Sequence, residues 1–138
     1  MRVLFYYRGS EHIGVESIMA YLKNKGHVVE LIYEPALGDN GYIDIPWLNK
    51  FFYNDKLIIE KAKRFKPDLI AFSAITNLYL PITKLARKFK KVLPEVPIII
   101  GGIHPTSLPD DVIKEDCYDM LCLGEGEGAM EDLLQRMR

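Results

Sequence analysis

The stretch Val96-Pro97-Ile98-Ile99-Ile100-Gly101-Gly102-Ile103 decides how this chain is read. A strand at Pro97–Ile100 has no polar side to turn toward water, because isoleucine occupies three successive positions. Strands buried on both faces belong inside parallel sheets, whose crossover helices cover both sides. Working outward, Leu69–Ser73 and Met120–Leu123 read as the neighbouring strands, and Val3–Tyr7 and Val28–Tyr33 as two earlier ones. Apolar stripes at helical spacing separate them. Val15, Ile18, Met19 and Leu22 mark one helix, with Gly26 placed as its left-handed cap. Ile58, Ala62 and Phe65 mark a second, ending before Pro67, and Ile82, Leu85, Ala86, Phe89 and Leu93 mark a third. A short helix is expected at Pro109–Glu115, with Ser107 and Asp110 as capping partners, and Met130, Leu133, Leu134 and Met137 line a last one.

Alternation of strand and helix implies right-handed crossovers. The expectation is an α/β fold: a doubly wound five-stranded parallel sheet, flavodoxin-like in its order 2-1-3-4-5, with helices on both faces. The 138 residues suit one domain, 1–138. Hydrophobic residues make up 49% and the net charge is −1, so nothing draws the chain to nucleic acid or to an acidic membrane. The apolar stretch 96–103 is too short to span a bilayer, and Met1-Arg2-Val3-Leu4-Phe5 enters strand-like sequence directly, without an export signal. The expected location is cytoplasmic. Two cysteines, Cys117 and Cys122, are too few for a disulfide framework or a self-contained metal site. One long irregular connection, from about Glu34 to Lys50, reads either as a surface insertion or as a lid or contact surface.

In such a sheet ligands bind outside the strand carboxyl ends. The loops there carry Arg8-Gly9-Ser10-Glu11-His12-Ile13-Gly14, Ser73-Ala74-Ile75-Thr76-Asn77, Gly101-Gly102-Ile103-His104-Pro105-Thr106 and Gly124-Glu125-Gly126-Glu127. Glycines let a bulky ligand approach the backbone, and hydroxyls and free N–H groups can bind phosphate or amide groups. Familiar occupants are excluded one by one. No G-x-x-x-x-G-K-[ST] run exists, and Gly9 and Gly14 do not form a dinucleotide fingerprint. A phospho-accepting aspartate is missing where Ser73 ends the third strand.

Ile13-Gly14, Tyr21 through Val29, Lys66-Pro67-Asp68-Leu69-Ile70, Ser73-Ala74-Ile75-Thr76, Gly101 through Thr106 and Leu123 through Glu127 form a set in order and spacing. That set resembles the N-terminal cobalamin-binding domain of cobalamin-dependent radical S-adenosylmethionine enzymes, over essentially the whole chain. The resemblance implies that the chain is a fragment of a longer protein and binds cobalamin. A radical S-adenosylmethionine catalytic domain in cis would carry the 4Fe-4S cluster and S-adenosylmethionine. The candidate cofactor contacts are Ser10, Glu11, His12, Ser73, Ala74, Thr76, Gly101, Gly102, His104, Thr106, Gly124 and Glu125. The nucleotide tail would enter beside Ser73 and Thr76, over Gly101 and Gly102, with the corrin ring across the loop tips. Domains with a lower axial histidine read D-x-H-x-x-G after the first strand. Counting back from Gly14 puts Glu11 at the histidine position and His12 one residue out of register. The resemblance therefore implies base-off cobalamin with no protein histidine on cobalt, and no metal ligand is assigned in this chain.

No catalytic residue is assigned, and the fragment alone is expected to be inactive. The parent is expected to be a methyltransferase or an oxidoreductase or cyclase. The alternative is a flavodoxin-like interaction domain of the same family that binds no cofactor. Tyr79 or Ile103 folded over the strand ends would favour that alternative, and an open crevice above Ser73 and Gly102 would favour cobalamin. A valine at Gly102 is expected to abolish binding while leaving the domain folded.

Overall fold

The computed structural model describes residues 1–9, 12–34 and 54–138. Most of the long connection after Glu34, and the loop positions Ser10 and Glu11, lie outside the described residues. Five strands form one parallel sheet: β1 (Arg2–Arg8), β2 (Val28–Glu34), β3 (Leu69–Ser73), β4 (Ile98–Gly101) and β5 (Met120–Leu121). Their order is β2-β1-β3-β4-β5, as the alternation of elements implied. Among the described residues, six helices connect or flank them: α1 (Ile13–Asn24), α2 (Asp55–Phe65), α3 (Tyr79–Val92), α4 (Ile103–Ser107), α5 (Pro109–Val112) and α6 (Glu127–Arg136).

The sheet separates two apolar cores because successive strand side chains point to opposite faces. Val3, Phe5, Tyr7, Leu69, Ala71 and Ile99 pack with Val15, Met19 and Leu22 of α1 and Met130 and Leu134 of α6. Leu4, Tyr6, Ile70, Phe72, Ile98 and Ile100 pack with α2 and α3 through Ile58, Ala62, Phe65, Ile82, Leu85, Ala86 and Phe89. All three isoleucines of β4 are buried. Among the described residues, no helix is long and apolar enough to cross a membrane.

Local chemistry sets the helix ends. Gly26 adopts φ +85° after α1; its N–H bonds Lys23 O at 3.0 Å, and the His27 N–H bonds Leu22 O at 3.1 Å. These are the paired bonds of a Schellman cap. Asn54 caps α2 through its side chain, accepting from the Lys56 N–H at 3.1 Å.

Four boundaries depart from the sequence reading. The loop after β4 coils immediately into α4, where only a turn was expected, and a 3₁₀ turn at Thr76–Leu78 precedes α3. Neither Ser107 nor Asp110 caps α5: its N-cap is Leu108, with no side-chain bond. Pro109 at the first helical position explains this, since its ring presets φ and it has no N–H to satisfy. Strand β5 is two residues long, shorter than Met120–Leu123: its pairing with β4 ends at Leu121, and beyond it the Cys122 N–H makes one further bond, to Ile100 O at 2.9 Å.

Candidate functional site

Helix α1 leaves β1 toward one face of the sheet and α3 leaves β3 toward the other. A crevice must open between them at the strand carboxyl ends. The structure has it: a cleft of about 430 Å³ lies between the first turns of α1 and the loops after β4 and β5. His12, Gly14, Val15 and Ile18 form one wall. Gly102, Ile103, Thr106 and Ser107 form another, Gly124–Glu127 a third, and Ser73 lies at the base. A narrower slot of about 50 Å³ continues from it, between the sheet, α1 and α6, past Gly101 and Cys122 to Phe5, Ala71, Ile99 and Met130.

Hydrogen bonds stitch the loop tips together. The Ala74 N–H donates to Gly101 O at 3.0 Å, and the His104 N–H returns to Ala74 O at 3.1 Å. Thr106 Oγ1 donates to Gly102 O at 2.8 Å and accepts from the Gly124 N–H at 3.2 Å, tying the β4 loop to the β5 loop. Across the cleft, Ser17 Oγ donates to Glu127 Oε1 at 2.7 Å, and that bond holds the Glu127 carboxyl below its ordinary range. Burial pushes the Cys122 thiol up, so it faces the slot as a neutral group. Tyr7, buried beneath the α1 entrance, donates to Glu16 Oε1 at 3.3 Å and lies 5.4 Å from the His12 ring, centroid to centroid.

Of the candidates named from sequence, His12, Ser73, Gly102, Thr106, Gly124 and Glu125 line the outer cleft, and Gly101 lines the slot. Ser10 and Glu11 lie outside the described residues. Ala74, Thr76 and His104 line neither space. His104 is buried, bonds Thr76 Oγ1 through Nδ1 at 3.2 Å, and stacks on Tyr79 at 4.0 Å between ring centroids. Tyr79 is thereby held away from the strand ends, and Ile103 stands 66% exposed at the rim, leaving the crevice above Ser73 and Gly102 open.

The cleft also uses residues that the sequence reading did not single out as contacts: Gly14, Val15, Ile18, Ser107, Gly126 and Glu127. Val15 and Ile18 were legible only as core positions of a helical stripe. Gly126 was visible in the Gly124-x-Gly126-x-Gly128 run, and its signal was small size opposite a helix.

Gly102 has a different reason for being glycine than the expected one. It adopts φ +101°, and a Cβ there would stand 2.8 Å from Ala74 O and 3.0 Å from both Ala74 N and Ser73 Oγ. The chain's own backbone fills that space.

Comparison with known proteins places this geometry. The B12 binding domain family model matches residues 8–134. The anaerobic magnesium-protoporphyrin IX monomethyl ester cyclase of Rubrivivax gelatinosus is 28% identical over 97% of this chain, which spans 24% of that protein. A cobalamin-binding protein from Desulfitobacterium hafniense DCB-2 superimposes with TM-score 0.69 at 18% identity, over 99% of this chain and 58% of that one. The cobalamin-dependent S-adenosylmethionine radical enzyme OxsB, with aqua-cobalamin bound, superimposes with TM-score 0.67 at 18% identity, over 99% of this chain and 18% of that one. Matched from Arg8 to Leu134, with its cleft at the carboxyl edge of a β2-β1-β3-β4-β5 sheet, the chain belongs to the B12-binding domain family.

Proposed function

We propose that this chain is the cobalamin-binding module of a longer radical S-adenosylmethionine enzyme, and that it holds the cofactor base-off in the cleft between α1 and the β4 and β5 loops. The observation that carries the reading is the open cleft itself. A cofactor-free docking domain would have no need to keep the strand ends uncovered, yet Tyr79 is stacked aside on His104. The walls suit a bulky group. Cβ atoms at Gly14 and at Gly124 would meet nothing within 4 Å, so the backbone there faces open space that a ring can approach. The slot beyond Ser73 is lined mostly by apolar side chains, the surroundings an aromatic base favours.

When bound, cobalamin supplies organometallic cobalt chemistry. The chain's own residues bind, orient and shield it. His12 and Val15 wall one side of the ring site, Thr106 keeps the opposing loops in register, and Ser73 and Gly101 border the tail's path. Among the described residues no nucleophile and base are hydrogen-bonded to each other in the cleft, and the fragment alone is expected to turn nothing over. The reaction belongs to a catalytic domain in cis that carries the 4Fe-4S cluster and S-adenosylmethionine. The parent is a methyltransferase or an oxidoreductase or cyclase, consistent with this chain spanning only 24% of the cyclase it resembles.

Titration with hydroxocobalamin tests this. The wild-type chain should give a base-off absorption spectrum, unchanged in His12→Ala. Gly14→Leu should weaken binding at least about tenfold (some 1.4 kcal/mol). That variant should keep its thermal transition, because leucine suits a helix better than glycine by up to about 1 kcal/mol. A histidine-ligated spectrum lost in His12→Ala would refute the base-off assignment. Undiminished binding by Gly14→Leu would move the site elsewhere, and no binding by wild type would return the chain to a cofactor-free docking role.

A further inference from the structure

Ile18 occupies an unusual place. It lines both the outer cleft and the slot beneath it, and it faces Gly126 so closely that a Cβ at Gly126 would run into Ile18 Cδ1. Its neighbours in the α1 stripe, Val15 and Met19, are buried, whereas Ile18 is only half-buried, with free space on the cleft side. The slot it borders measures about 50 Å³. A cavity of roughly 150 Å³ is what holds a single benzene ring. A bicyclic base therefore does not fit the slot as it stands, although the outer cleft is roomy and the slot's lining is mostly apolar.

The sheet side of the slot is built from β-strand residues packed in the core: Phe5, Ala71 and Ile99. Those positions are braced by parallel pairing on both sides of β1, β3 and β4 and cannot retreat cheaply. On the helical side, Ile18 packs only partly buried against the core, so a change of its rotamer disturbs less packing than a shift of the sheet. We infer that Ile18 is a movable plug over the slot and that it selects among corrinoids by their lower base. The inference rests on the cleft being a cobalamin site. A corrinoid without a nucleotide tail occupies the outer cleft whichever way Ile18 points. A complete cobalamin seats its base only when the side chain leaves the slot for the outer cleft.

The test compares equilibrium binding of hydroxocobalamin and of tail-less cobinamide to the 138-residue chain by titration calorimetry, with thermal melts as the folding control. Ile18→Ala should strengthen cobalamin binding roughly three- to tenfold, the factor expected when a side chain no longer has to leave its preferred rotamer. Cobinamide, which meets only the outer-cleft edge of Ile18, should change less than cobalamin, so the ratio of the two affinities moves in cobalamin's favour. Ile18→Phe should weaken cobalamin about tenfold or more and move that ratio the other way, because a larger plug is harder to seat elsewhere in a packed site. Should Ile18→Phe fold poorly, the alanine variant alone decides. Equal effects on both corrinoids, or none on either, would overturn the plug while leaving the cobalamin site intact. Wild-type chain that binds neither corrinoid would overturn the site itself, and the plug with it.

Discussion

Glu34 is the residue whose chemistry departs furthest from its sequence appearance. It ends β2 as an ordinary acidic residue, yet it is 6% exposed, accepts a hydrogen bond from the buried Tyr6 hydroxyl, and has its second carboxyl oxygen buried without a partner among the described residues. Burial raises its pKa, and the Tyr6 bond and the nearby Arg8 charge offset this only in part. The sign of the stability effect follows from linkage. A carboxyl whose folded pKa lies above its unfolded value stabilises the fold most when protonated, and that contribution is lost as pH rises through the folded pKa. Glu34→Gln copies the protonated state at every pH. The difference in Tm between variant and wild type should therefore shift in the variant's favour as pH climbs above the ordinary carboxyl value of 4.5. Melts across that window measure it, and a difference that does not change with pH would contradict it. The opposite pattern belongs to Asp119, which accepts from Lys90 and from the Ile98 N–H and is held below its ordinary range, so its contribution is lost toward acid.

Among the elements, the β3–β4 junction carries the tightest constraint near the cleft. From sequence, Gly101-Gly102 reads as room for a ligand; in the fold, Gly102 is pressed against Ser73 and Ala74. A side chain there would combine backbone strain at φ +101° with a clash against main-chain atoms that are themselves hydrogen-bonded to Gly101 and His104. Strain costs about 1–3 kcal/mol and overpacking a similar amount. Gly102→Val should thus lose on the order of 3 kcal/mol of stability, a large share of the roughly 5–15 kcal/mol a domain has. Urea denaturation reads this directly, and an unchanged midpoint would show that the junction yields. The variant should therefore stay folded with a lowered midpoint, and because that cost would mix with any loss of binding, Gly14 is the cleaner position to probe the cleft. On the helix surfaces, the basic residues between Lys56 and Lys91 meet acids across elements, as in Lys88–Asp55, Arg87–Glu115 and Lys90–Asp119. Exposed pairs of this kind contribute little each and mark a solvated face.

For the whole molecule, the iron content of the purified chain is the broadest check on the division of labour proposed between it and a catalytic domain in cis. Burial pushes the Cys117 thiol up to about 11 and raises that of Cys122, so neither is a ready thiolate, and the sequence contains no other cysteine. Iron–sulfur clusters are held by several cysteine thiolates. Reconstitution with iron and sulfide should leave the chain without a stoichiometric cluster; a cluster that survives desalting would place radical chemistry here after all. What the sequence determined by itself was the architecture. Strands of β-branched residues, helical stripes and strict alternation of the two call for a parallel sheet with right-handed crossovers and favour the strand order that the fold shows. It also located the four loops that meet at the carboxyl edge, since order and winding place them there. The wall residues were a matter for tertiary structure. Ile18 and Val15 look like core in a one-dimensional stripe, and only the splay between α1 and the β4 and β5 loops turns them toward a cleft. Thr76 and His104 look like ligand contacts, yet they pair with each other because α4 coils at once and buries the imidazole against Tyr79. Periodicity reports which side of an element is apolar, whereas the space beyond that side is set by how elements diverge, and that is settled by packing among residues far apart in the chain.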